Sequence, residues 1–248
     1  AIQNGFAYAV VNAPIIIADG IYSKNSVEVE INKKHFEKVK IAKEIETSKK
    51  MVVISHFKGH ESAGFGGAIK NLAMGCAPAA GKQQQHSALN PKVSKNCVGC
   101  ETCLKWCPTG AISIKNTKAF IDEKCFGCGE CISMCPIRAI SPQWETESVE
   151  FLERLTEYAY GAVKNKQDKV LYINFLMNIT PLCDCVGFSG TYIVPDIGII
   201  ASTDPVAIDA ASLDLVNAQL GNSNSDLKCN HEKGADKFLG LYKHVDGS

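Results

Sequence analysis

Cys97-Val98-Gly99-Cys100-Glu101-Thr102-Cys103-Leu104-Lys105-Trp106-Cys107-Pro108 is followed by Cys125-Phe126-Gly127-Cys128-Gly129-Glu130-Cys131-Ile132-Ser133-Met134-Cys135-Pro136. One spacing, C-x2-C-x2-C-x3-C-P, therefore occurs twice. In each run three sulfurs share one turn, a short helix carries the fourth away, and the proline stops that helix. Between the runs, residues 111–114 and 119–122 read as a hairpin, and Ala139-Ile140-Ser141 repeats the pattern after the first Cys-Pro.

This spacing is that of iron–sulfur ligands, with the fourth cysteine of each run serving the other cluster. It assigns Cys97, Cys100, Cys103 and Cys135 to one [4Fe-4S] cluster. Cys125, Cys128, Cys131 and Cys107 go to a second. Zinc knuckles do not ask for four cysteines in this spacing twice, each run closed by Cys-Pro. The duplicated, interleaved halves resemble the bacterial 2[4Fe-4S] ferredoxins over residues 93–142. Eight thiolates against two oxidised cubanes would add about four negative charges to the module.

The rest of the composition bounds the surroundings. The chain has 248 residues, 46% of them hydrophobic, and 12 cysteines. That is core enough to make a disulfide scaffold unnecessary, so the cysteines read as metal ligands in a reducing, cytoplasmic compartment. No run of about 18 apolar residues is present, which argues against a membrane partner. The formal charge is zero and the basic residues are dispersed, which argues against nucleic acid.

Outside the cysteine runs the pattern is α/β. Residues 7–11, 14–18, 51–55, 170–175 and 197–201 read as strands, the 51–55 run as a buried one. Residues 27–31 and 36–41 form a hairpin across Asn32-Lys33-Lys34-His35. Residues 42–48 and 147–164 read as helices, the latter through Val149, Leu152, Leu155, Tyr158, Ala159 and Ala162. Thr203 or Asp204 caps a further helix, with Pro205 in its first turn. Strands alternating with helices predict a mostly parallel sheet. The expected architecture is a discontinuous α/β domain over 1–87 and 145–248, incomplete at both ends. A small α+β ferredoxin-like domain over 88–144 interrupts it, with seams at 87–96 and 142–146.

Two further constellations carry chemistry. The first is His56-Phe57-Lys58-Gly59-His60-Glu61-Ser62-Ala63-Gly64-Phe65-Gly66-Gly67-Ala68-Ile69-Lys70, which leaves a strand, passes glycines and enters a helix. Ligands bind at strand carboxyl ends in open α/β sheets, and glycines there let the backbone approach them. Neither phosphate motif fits: there is no G-x-G-x-x-G, and Gly75-x5-Gly81-Lys82-Gln83 has the wrong spacing for a P-loop. The second is Cys183-Asp184-Cys185, with Pro195-Asp196 and 202–209 behind it. A Cys-x-Cys pair can place both sulfurs on one soft metal, with Cys229 or His231 as further ligands. A pair of buried free thiols is the competing reading.

The run GHESAGFGGAIKNLAMGCA with GKQQQH behind it, the two cysteine runs, PLCDC and DIGIIASTDPVAIDAASLDL together resemble the DUF362 family across essentially the whole chain. That family's region extends beyond both ends of this chain, and the resemblance implies no particular activity. His60, Lys70 and His86 are also similar in order to the residues of nickel-pincer lactate racemases. That resemblance implies Lys70 as the cofactor anchor, His86 as the nickel ligand and His60 as the proton carrier. Asn71–Cys76 replaces the Pro-Gly element expected after the lysine. The expectation is an iron–sulfur protein passing electrons through its clusters to a site with His60, Lys70 and His86 as catalytic candidates. A redox partner protein and an unknown small-molecule substrate are expected, and a further metal or anion ligand is left open. The alternatives are an electron-transfer subunit with no substrate, and a nickel-pincer-like isomerase or metal-handling protein.

Overall fold

The computed structural model describes residues 1–21, 23–86, 91–125, 130–141, 148–166, 168–185 and 188–242. The chain mixes helices and strands. Its largest sheet has the order β11-β10-β3, built from β3 (Met51–His56), β10 (Val170–Leu176) and β11 (Gly198–Ser202). β3 and β10 run parallel, with Val53 opposite Tyr172 and Ser55 opposite Asn174. β11 returns antiparallel to β10. Every other pairing among the described residues is antiparallel, so the mostly parallel sheet expected from the sequence is not what forms. β1–β2, β4–β5 and β7–β8 are hairpins of neighbouring strands, which pair antiparallel, whereas β6 and β9 pair antiparallel across the cysteine runs and β3 and β10 pair parallel across a long crossover.

Side chains alternate across this sheet. Val53, Ser55, Tyr172 and Asn174 face inward, while Val52 and Ile54 are 58% and 62% exposed. The 51–55 run is thus half-buried, not buried on both faces. Ser55 and Asn174, polar residues on the inward phase, are served by helices α3 (Ala68–Gly75) and α7 (Pro205–Asn217). Asn71 Nδ2 donates to Ser55 Oγ at 2.9 Å, and Asn174 Nδ2 donates to Asp209 at 2.9 Å. Asp204 caps α7 by accepting from Val206 N and Ala207 N, as its position before Pro205 predicts.

The hairpin β1 (Ser26–Glu30) and β2 (Lys38–Ala42) leads into the short helix α2 (Lys43–Thr47). The hairpin lies against α6 (Ser148–Val163), whose Phe151, Leu155, Tyr158, Ala159 and Ala162 are buried with Val39, Ile41, Val53 and Leu72. Glu157 of α6 accepts from the backbone of His35 and Phe36 at 3.0 and 2.9 Å, pinning the hairpin's turn to the helix. Val149, expected on the same stripe, is exposed. Each large apolar side chain on the buried stripe contributes about 2 kcal/mol, which outweighs any helix propensity along α6.

Residues 7–11, read as a strand, instead make the one-turn helix α1 (Tyr8–Val11), ended by Asn12 at φ 50 with its N–H bonded to Tyr8 O. Residues 14–18 are not in a strand. These β-branched stretches have no partner strand, so local hydrogen bonds win. After β3 the chain makes the small hairpin β4 (Lys58–His60) and β5 (Gly64–Gly66), an element absent from the sequence reading, before entering α3 and then α4 (Ala79–His86).

The cysteine runs have their own small core. β6 (Lys92–Val93) pairs with β9 (Ile140–Ser141), and β7 (Ile112–Lys115) pairs with β8 (Lys118–Ile121) as expected. A 3-10 turn at Thr102–Trp106 and helix α5 (Glu130–Met134) lie against each other. Cys103, Cys131, Ile112, Ala119 and Ile140 are buried together, separate from the other cores. The 142–146 seam and residues 87–90 of the 87–96 seam lie outside the described residues, as does Cys128. A last helix, α8 (Lys237–Leu241), closes a second core with Phe57, Leu176 and Ile193. No helix among the described residues is long and apolar enough to cross a membrane.

Candidate functional site

The cysteine module is the first site. Cys97, Cys100, Cys103 and Cys135 all line one cavity, closed by Ile114, Ala119 and Ile140. The set draws three residues from the first run and one from the second, the combination that interleaved ligation requires. Burial pushes the Cys103 thiol up, and the neighbours whose charge adds to this are Cys100, Cys97 and Cys135. Backbone donors point at the sulfurs: Ala119 N to Cys97 Sγ at 3.3 Å, Ala111 N to Cys107 Sγ at 3.2 Å, and Ala139 N to Cys135 Sγ at 3.2 Å. The last two occupy equivalent places four residues after the fourth cysteine of each run. Thr102 Oγ1 lies 3.4 Å from Cys100 Sγ and holds that thiol below its usual range. None of the described cysteines is in a disulfide. Four cysteines from both runs, with N–H donors at Cys97 and Cys135 and a hydroxyl at Cys100, are a donor set that fits a cluster; of the second set, Cys107, Cys125 and Cys131 are described and Cys128 is not.

The second site lies at the carboxyl ends of the parallel pair β3 and β10, where the loops after each strand meet. Gly59 N donates to Thr180 O at 2.9 Å. A Cβ on Gly59 would sit 2.0 Å from Pro181 O, so glycine is what lets these two loops touch. The contact delivers Cys183 and Cys185 to β4. His60, Cys183 and Cys185 offer ligand-type atoms that all lie within 4.8 Å of one another. Neither Cys229 nor His231 joins that group, so the companion of the Cys-x-Cys pair is His60 from the other loop. Asp184, between the two cysteines, is held by His56 Nδ1 at 3.0 Å and Lys58 Nζ at 3.3 Å. Burial pushes its carboxyl up, but the His56 hydrogen bond and the Lys58 charge together hold it below the usual carboxylate range.

Lys70, from the first turn of α3, brings its ammonium to 3.1 Å from Cys183 Sγ. Burial alone would raise the Cys183 thiol, but the Cys185 backbone N–H, the Lys70 charge and the Lys70 hydrogen bond bring it below its ordinary value. Burial and the neighbouring Cys183 raise Cys185. The two thiols are therefore unequal, with the charge on the buried one. His60 is pushed down to about 3, first by burial and then by the charges of Lys70, His86 and Lys58. Its Nδ1 accepts from Ser62 N and Ala63 N at 3.1 Å each, which leaves the ring proton of the neutral form on Nε2. His86, at the end of α4, stacks on Phe151 with ring centroids 4.9 Å apart and contacts Lys82 O at 2.9 Å. Burial lowers it, with Lys70 adding to the effect against the Lys82 carbonyl.

His60, Lys70 and His86 are thus brought within electrostatic reach of one another, with the Cys183–Cys185 loop beside the first two. Next to Lys70 opens a cavity of about 220 Å³ lined by Phe65, Gly67, Leu152, Leu155, Thr156 and Asp209 among others. The sequence marks Asp209 only as the last residue of the 202–209 stretch behind the Cys-x-Cys pair. It accepts from Ala68 N and Ile69 N at 2.7 and 2.9 Å, fixing the start of α3 and so the position of Lys70. A Cβ on Gly67 would lie 2.3 Å from Asp209 Oδ1, which is why the residue before α3 is glycine.

The chain belongs to the DUF362 family: "Domain of unknown function (DUF362)" matches residues 1–214. No curated protein and no solved structure matches it.

Proposed function

We propose that this chain is an iron–sulfur electron carrier with a reactive site of its own. Two [4Fe-4S] clusters held by residues 88–144 would serve the strand-end site of His60, Lys70, His86, Cys183 and Cys185. The observation that carries the reading is the cavity lined by Cys97, Cys100, Cys103 and Cys135, four thiols drawn from both runs. Such clusters supply one-electron transfer at potentials tuned by hydrogen bonds to their sulfurs. The chain's own part is to hold eight thiolates and to meet them with the Ala111, Ala119 and Ala139 N–H groups.

Two features favour a carrier with a site over a carrier alone. Helix α5, which bears Cys131, packs against α4, whose last residue His86 senses the charge of Lys70. A bare electron carrier needs neither the Lys70–Cys183 contact nor a cavity beside it. The nickel-pincer reading asks Lys70 to hold a nucleotide covalently, and the Cys183 contact competes with that role. A redox partner protein would feed the clusters, and a small molecule fitting the cavity beside Lys70 would be the substrate.

Anaerobically prepared protein should contain about eight iron and eight sulfide per chain. Its reduced form should give the EPR signals of two interacting cubanes, and Lys70→Ala should leave the iron content unchanged. Zinc in place of iron and sulfide would overturn the proposal.

A further inference from the structure

We propose that Cys183 and Cys185 are a redox-active dithiol that closes to a disulfide and is reopened by electrons from the cluster module. The inference rests on the electron-carrier reading above and gives its site a definite reaction.

The first ground is geometry. The two sulfurs lie within 4.8 Å of each other on residues that share one turn, with Cys183 buried and Cys185 exposed. Asp184 is clamped by His56 and Lys58, so the turn is fixed at its middle while the outer Cys185 side chain faces solvent. Closing the pair brings two sulfurs already within 4.8 Å of each other to a bond of about 2.05 Å.

The second ground is what surrounds the sulfurs. The same atoms could be read as a three-ligand cation site, but the local hydrogen bonds argue against it. A metal-bound imidazole ordinarily donates its other ring N–H to an acceptor. His60 does the reverse: Nδ1 accepts two backbone N–H groups, so the remaining ring nitrogen carries the proton and is a donor. Lys70 places a full positive charge 3.1 Å from Cys183 Sγ, and Lys58 places another beside Asp184. A divalent cation would enter against both charges, whereas a thiolate is stabilised by them.

The third ground is position. The α4–α5 contact puts the module that bears Cys131 against the helix ending in His86, and the charge of Lys70 reaches that histidine. The side of the α/β core that carries α4 is therefore where the module docks.

The oxidant is a small disulfide such as glutathione disulfide: the Cys183 thiolate attacks it and releases one thiol, and Cys185 then displaces the second thiol as the Cys183–Cys185 bond forms and its own proton leaves. The Cys183–Cys185 disulfide accepts two electrons, one from each singly reduced cluster, and its S–S bond breaks. Cys185 takes one proton from solvent, and Cys183 remains a thiolate against the Lys70 ammonium. The chain thereby gathers two single electrons into one dithiol.

The test uses the whole holoprotein. Trypsin releases residues 170–228 as one peptide, and Cys183 and Cys185 are its only cysteines. After anaerobic equilibration with glutathione disulfide, this peptide should resist iodoacetamide and be two hydrogen masses lighter. After photoreduction of the clusters it should carry two alkyl groups. The reduced-cluster EPR signal should decay in the oxidised wild type and persist in Cys183→Ser. Two alkyl groups on the peptide after oxidation, with iron still at about eight per chain, would overturn the dithiol while sparing the electron carrier. A third metal retained by the wild type and lost in Cys185→Ser would overturn it in favour of a cation site. Absence of iron and sulfide would overturn the carrier reading itself, and this inference with it.

Discussion

The Lys70 ammonium and the Cys183 sulfur meet at 3.1 Å, although 113 residues separate them and the cysteine module lies between in the chain. Three local devices make that contact. Asp209 anchors the first turn of α3 through Ala68 N and Ile69 N, which aims Lys70. Gly59 admits the Pro181 carbonyl, which brings in the Cys183 loop. Asp184, gripped by His56 and Lys58, then fixes where Cys183 and Cys185 stand. Two of the three, at Gly59 and Asp184, join the loops that follow β3 and β10, which that parallel pair has already brought side by side.

Replacing Lys70 by Met removes the charge and the hydrogen bond that hold the Cys183 thiol below its ordinary value. Burial then acts unopposed by that cation, so the thiolate fraction at neutral pH falls. Alkylation of the 170–228 peptide at Cys183 should slow several-fold, and its pH–rate curve should move to higher pH. An unchanged curve would mean that Lys70 does not govern Cys183.

Gly59→Ala drives a methyl group to 2.0 Å from Pro181 O, so one of the two loops must move. Overpacking of this kind costs roughly 1–3 kcal/mol. The lesion should lower the denaturation midpoint and abolish the preferential alkylation of Cys183, because the loop retreats from Lys70. Iron and sulfide content should not change. A variant with wild-type thiol reactivity would show that the loop is held by other contacts, such as Tyr242 Oη donating to Pro181 O at 2.6 Å.

Much of this was legible beforehand, and the misses share a cause. The hairpin of residues 27–31 and 36–41, helix α6 and the Asp204–Pro205 helix start are local patterns, and local patterns survive folding. Residues 7–11 failed as a strand because strand pairing needs a partner that composition does not name. Val52 and Ile54 read as buried because an apolar run does not report which face of a sheet is covered. His60 as the companion of Cys183 and Cys185 could not be found by spacing, since the pairing is made by two loops that only the sheet register brings together. Ser55 and Asn174 did leave a signal: each is a polar residue on the inward phase of an apolar strand, and such residues are hydrogen-bonded when buried.

His60 gives the fold a pH dependence with a definite sign. Its folded value is about 3, against an ordinary 6.5 in the unfolded chain. Between those values the unfolded state binds the proton and the folded state does not, so stability falls as pH falls through this window. The contribution is at most ~1.4 kcal/mol per pH unit. Urea midpoints measured from pH 7 to pH 5 should drop less steeply in His60→Asn than in the wild type. Parallel slopes would show that His60 does not carry this linkage.

The Ala111 and Ala139 backbone N–H groups occupy equivalent places in the two cysteine runs, bonded to Cys107 and Cys135 Sγ at 3.2 Å each. A hydrogen bond to a ligating sulfur stabilises the more negative, reduced cluster more than the oxidised one, so it raises the reduction potential. Proline at either position deletes the donor and should make one cluster harder to reduce. One charge-assisted hydrogen bond is worth about 1.5–3 kcal/mol, and only part of that differs between the two redox states. The shift should therefore be roughly tens of millivolts, on a scale where ~59 mV is a tenfold change for one electron. The proposed interleaving predicts which cluster responds. On the proposed interleaved ligation, Ala139→Pro should shift the cluster assigned to Cys97, Cys100 and Cys103, whose fourth ligand would be Cys135. Ala111→Pro should shift the other, through Cys107. EPR-monitored titrations of the two variants, compared with Cys100→Ala to identify the first cluster's signal, read the assignment directly. If Ala139→Pro moved the cluster of its own run, that of Cys125, Cys128 and Cys131, the ligands would not be interleaved and each run would hold its own cluster.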